Sequence, residues 1–133
     1  KNKIIKLAIS STIISFIFAI TYFLLFYLFI DNIIILMTSI NSVILETQNY
    51  AIWIIVSPLI SFLSFQMDGV FIGANKTRIM RNTVIISFII FIISLCILVP
   101  FYENNGLWLS FILFLFLRGV LLVTKFKEIY NFN

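Results

Sequence analysis

Polar residues in this chain come in short bursts separated by long apolar runs, and each run is about as long as a hydrocarbon core is thick. Residues 7–30, 50–74, 83–100 and 107–124 hold no charge other than Asp68 and Arg118. A bilayer core of about 30 Å takes roughly 20 apolar residues in helical form. The pattern therefore predicts an all-α polytopic membrane bundle of four transmembrane helices. Asn75, Lys76, Thr77, Arg78 and Arg81 end the second run, with Asn82 or Thr83 expected to cap the third helix. Pro100 followed by Glu103, Asn104, Asn105 and Gly106 predicts the next turn. Asp31 and Asn32 mark the end of the first span, although the chain stays apolar through residues 33–37. Residues 39–49, with Ser39 or Asn41 as a helix cap, lead into the second span or extend it past the membrane.

Composition agrees with the pattern. Hydrophobic residues make up 62% of the chain and charged residues 11%, whereas a soluble domain carries about a quarter charged residues. The net charge of +4 reflects membrane orientation and not a nucleic-acid partner, because the basic residues fall in clusters between apolar runs. Lys1, Lys3 and Lys6 precede the first span, Lys76, Arg78 and Arg81 follow the second, and Arg118, Lys125 and Lys127 end the fourth. The opposite segments carry Asp31, Glu46 and Glu103. The positive-inside rule then predicts a multi-pass protein of the inner (plasma) membrane with both ends of the chain and the 75–81 loop in the cytoplasm. Tyr22, Tyr27, Tyr50, Trp53, Tyr102 and Trp108 lean toward the outer ends, as interfacial aromatics do. With one cysteine, Cys96, and no histidine, neither an intrachain disulfide nor a Cys/His metal site is expected. No signal-peptide pattern precedes the first run, and a start at Lys1 points to a piece of a longer protein.

The second span has a polar side. At 100° per residue, Ser57, Ser61, Ser64 and Asp68 fall within about 60° of one another, on the line of Glu46, Tyr50 and Asn75. Pro58 should kink this helix near Ile54 and free a carbonyl to meet water or a neighbour. Hydroxyls at such spacing serve either close helix packing or a water-lined path. Asp68 is open to two readings of equal weight. One is an ion pair with Lys76, Arg78 or Arg118; the other is cation or proton binding. Gly69 and Gly73 form a GxxxG pair that allows close helix contact. Ala8, Ser11, Ser15 and Ala19 make a similar small face on the first span, so the two helices are expected to be neighbours. Ser87, Ser94 and Ser110 read as packing or backbone-bonded hydroxyls. Nothing resembles a phosphate loop, a nucleophile with its base or a carboxylate pair, so catalysis is not expected.

The run PLISFLSFQMDGVFIGANKTRIMRN, from Pro58 to Asn82, resembles the tenth helix and following loop of the multidrug and toxic compound extrusion (MATE) transporters, most closely their DinF-like branch. The carrying elements are DGVFIGA and Arg78, Met80, Arg81 and Asn82 as an R-x-M-R-N-like pattern. NGLWLSFILFLFLRGVLL, from Asn105 to Leu122, is similar to the family's last helix. The resemblance implies that residues 1–133 are part of the second lobe of a twelve-helix exporter, with the N-terminal helices of the same chain missing here. It also implies alternating access, H⁺ or Na⁺ as coupling ion, and a small organic, often cationic, substrate. The family's proton-coupling aspartate belongs to the absent lobe, and its tenth-helix acidic position aligns near Ser61, not Asp68. Two alternatives stand beside this reading: a lipid-linked polysaccharide flippase of the same superfamily, and a small non-transporting membrane subunit.

Overall fold

A computed structural model describes residues 2–129; Lys1 and the last four residues lie outside it. Three helices carry almost the whole chain: α1 (Asn2–Met37), α2 (Asn41–Gly73) and α3 (Thr77–Thr124), followed by a 3₁₀ turn at Phe126–Ile129. All three are long and apolar enough to cross a membrane.

The third and fourth predicted runs both fall within α3. This element is no straight rod. Glu103, at φ 49° and ψ −126°, interrupts the helical backbone and separates residues 77–102 from residues 104–124. Those angles match the first central position of a type II′ turn, which glycine adopts far more easily than glutamate. The two arms then fold back on each other. The rings of Phe91 and Phe114 lie 5.8 Å apart, whereas a straight helix would hold them about 34 Å apart. Pro100 sits inside the first arm and does not make the turn itself.

The helices run well past the predicted spans. At 36 residues α1 is about 54 Å long, more than a bilayer core requires, and it continues through Asp31 and Asn32 to Met37. The predicted caps are not used. The residue before α2 is Ile40, with no side-chain cap bond; Ser39 precedes it, Asn41 is already helical, and the Thr38 hydroxyl accepts from the Ile40 N–H. Likewise α3 starts after Lys76, so Asn82 and Thr83 lie inside it, and the Thr83 hydroxyl donates to the Met80 carbonyl. Backbone geometry closes the α2 end instead. Asn75, at φ 57°, takes the left-handed position that Asn tolerates, and the Lys76 N–H reaches back 2.9 Å to the Phe71 carbonyl.

The Pro58 carbonyl problem is solved locally. A proline cannot donate to the carbonyl four residues back, and here the Ser57 hydroxyl donates to Ile54 O at 2.9 Å.

The expected pairing of α1 with α2 is present and antiparallel. Ala8 and Ala19 are buried, the Ser15 hydroxyl donates to Gln66 Oε1 at 2.6 Å, and Gln66 Nε2 donates to Ser11 at 2.6 Å. Toward the other end, Gln48 Nε2 donates to Asp31 at 2.8 Å. Gln66→Leu should loosen this clamp by about 1–2 kcal/mol, the scale of interhelical side-chain bonds in membranes. A thermal-unfolding series in detergent that leaves Gln66→Leu level with wild type would show that the clamp adds nothing.

Helix ends gather by charge. Met67, Phe71, Leu122 and Ile129 form an apolar cluster flanked by Ile4, Ala74, Ile79 and Met80. The start of α1, the α2–α3 turn and the end of α3 therefore meet, bringing Lys3, Lys6, Lys76, Arg78, Arg81, Lys125 and Lys127 to one end of the bundle. A second cluster of Ile30, Ile34, Ala51 and Ile55 holds the opposite half. Trp53 Nε1 donates to Asn105 Oδ1 at 3.0 Å in that half, joining α2 to the second arm of α3.

Candidate functional site

Asp68 and Arg118 meet inside the bundle. The Arg118 Nη2 donates to Asp68 Oδ2, and the two side chains are only 12% and 17% exposed for Asp68 and Arg118 respectively. Trp53 with Asn105 and Asp68 with Arg118 follow in the same order along both segments, so α2 and the second arm of α3 run parallel. Gly119 lets them approach: a Cβ there would lie 3.2 Å from the Ser64 backbone nitrogen. Of the three cations considered for Asp68, the structure selects the one farthest along the chain. Burying a carboxylate in a span is costly, and pairing with a guanidinium is the usual compensation.

The polar line predicted on α2 is divided by the fold. Ser64 and Asp68 are buried toward α3. Ser61 and Pro58 instead line an open groove of about 320 Å³ beside α1, with Ser15, Tyr22 and Gln66 among its walls. Ser57 is spent on its own helix backbone. Glu46 and Tyr50 border a third place, a groove with Asn104 and Trp108 at the Trp53 end. The line is real on the helical wheel, but neighbours reach it from two sides.

Gly69 and Gly73 do not make the close contact their spacing allows. Both are exposed, and among the described residues nothing comes within 4 Å of a Cβ added at either. Gly106 and Gly119 take that role. At Gly106 a Cβ would lie 2.4 Å from the Leu98 carbonyl oxygen, so this glycine is what allows the arms of α3 to close at the turn.

Two side chains matter more than the sequence pattern indicates. Gln66 ties α1 to α2; its signal was an amide within an apolar helix, facing away from Asp68. Ser87 is fully buried and, unlike Ser110, whose hydroxyl donates to Gly106 O at 2.8 Å, has no hydrogen-bond partner among the described residues. Of the two readings given to these serines, packing or a backbone bond, Ser110 takes the backbone bond and Ser87 does not.

An apolar helical exterior around a buried ion pair defines a multi-pass α-helical membrane protein. The chain is 33% identical over 118 residues to DNA damage-inducible protein F of Escherichia coli (strain K12), an alignment that covers 89% of this chain and 25% of that relative. The match supports the resemblance of this chain to a segment of a DinF-like member of the MATE family. The chain thus spans about a quarter of the length of the curated relative it matches. No protein-family profile and no solved structure matches it.

Proposed function

We propose that this chain forms part of the second lobe of a cation-coupled exporter, in which inward movement of H⁺ or Na⁺ drives outward movement of drugs or other organic compounds by alternating access. The observation that carries the reading is the DinF relationship along 89% of the chain. Further helices of the same protein would cover the apolar faces left open here, such as that of Leu7 and Ile17 on α1. The basic end of the bundle is then the cytoplasmic one. The flippase alternative needs cavity cations for a pyrophosphate, and Arg118, the only arginine or lysine within the spans, is engaged by Asp68.

The same pair bears on coupling. Arg118 already neutralises Asp68, so the coupling cation is expected to bind elsewhere in the lobes. The test uses the protein at its natural full length in proteoliposomes, with an imposed H⁺ or Na⁺ gradient and a lipophilic cationic dye as cargo. Gradient-dependent dye movement is expected, and its absence with either ion would remove the proposal. Asp68→Asn should lower thermal stability and reduce transport in proportion while leaving gradient dependence in place. Complete loss of gradient-driven export at normal expression and stability would instead make Asp68 the coupling residue.

A further inference from the structure

Four polar atoms around the ion pair have no hydrogen-bond partner among the described residues: Asp68 Oδ1, Arg118 Nε, Ser64 Oγ and Ser87 Oγ. Ser64 and Ser87 are both fully buried. They occupy one level of the bundle. Ser64 lies four residues before Asp68, one turn away on the same helix face. Phe91 and Phe114 are in ring contact across the antiparallel arms, and one turn further along each arm come Ser87 and Arg118. Three helical segments thus each bring an unused donor or acceptor to this depth.

Leaving such groups unbonded is unfavourable, and it is more so in a membrane interior. Gly119 already holds the second arm against the Ser64 backbone, where an added Cβ would lie 3.2 Å from the nitrogen. The chemistry on offer is one anionic acceptor, one cationic donor and two hydroxyls that do either, which suits a small neutral molecule that both donates and accepts. Buried waters typically make two to four bonds to groups of this sort.

We propose that Ser64, Asp68, Ser87 and Arg118 form an internal hydration site, in which water bridges the carboxylate to Ser64 and the guanidinium to Ser87. The ion pair is then a hydrated joint between α2 and both arms of α3, able to part and re-form without exposing a bare charge. This holds whether or not the protein exports by the route proposed above.

Silver ion, close to water in size, reports access to such a site through a thiol. Ser64→Cys, Ser87→Cys and Ser110→Cys are placed singly in the full-length protein after its other cysteines, including the exposed Cys96, are replaced. Reaction is scored by protection from maleimide after denaturation. Ser110 is the control, because it is as buried as the other two but already bonded. The Ser64→Cys and Ser87→Cys thiols should react with Ag⁺ about tenfold or more faster than the Ser110→Cys thiol, since exposure governs thiol reactivity. Equal rates at all three positions would overturn the proposal. Should a thiol variant fail to fold, the Arg118 guanidinium infrared band, assigned against Arg118→Lys, is followed after transfer to D₂O. A prompt isotope shift supports the water site, and a band that stays unshifted over hours refutes it.

Discussion

Arg118→Met, with Asp68 left in place, should destabilise the protein by about 3–5 kcal/mol, the usual consequence of removing one partner of a buried ion pair. The loss comes less from the missing attraction than from the carboxylate left behind, which is only 12% exposed and would have to stay desolvated or take up a proton. Removing both charges tells the two apart. The double variant Asp68→Leu, Arg118→Met replaces the pair with apolar groups of similar volume and should recover most of the stability. Thermal unfolding of the full-length protein in detergent measures all three forms. A double variant no more stable than Arg118→Met would mean that the pair is not what holds α2 to the second arm of α3.

Gly106→Val should be the most damaging single change at a position without charge. Its Cβ would be 2.4 Å from the Leu98 carbonyl oxygen and 2.9 Å from the Val99 nitrogen. These are backbone atoms, so no rotamer change relieves the clash. Overpacking typically costs about 1–3 kcal/mol where side chains can yield, and this site should exceed that range by forcing the arms of α3 apart. A label pair across the arms, near Phe91 and Phe114, would report the separation directly. The contrast is Gly69→Ala on α2. With nothing within 4 Å, it should gain about 0.5–1 kcal/mol from helix propensity. A loss at Gly69 in the full-length protein would show that another helix packs there. A Gly106→Val variant as stable as wild type would contradict the hairpin.

The all-α membrane class and the grouping of basic residues were legible in the sequence because each depends on local quantities. Apolar length is summed over neighbours, and a cluster such as Lys76, Arg78 and Arg81 marks a helix end whatever packs beside it. The facing of α1 on α2 was legible too, since Ala8, Ser11, Ser15 and Ala19 admit close approach on one side only. Helix ends were less so. Caps at Ser39, Asn41, Asn82 or Thr83 gave way to Ile40 and Lys76, because apolar length measures a crossing while a helix can continue beyond it.

What only the tertiary structure decided is which groups meet. The angular position of Asp68 fixes a direction from its own helix and says nothing of what stands there; Arg118, 50 residues on, arrives by the fold of α3 at Glu103. The same break places Ser87 at the level of the pair and presses Gly106 onto Leu98. Sequence periodicity gives each helix a face, but the partner of that face depends on the register between helices, which is set by many weak contacts at once. For that reason the sequence could name Asp68 as exceptional, while the structure alone gave it a partner and a polar surround.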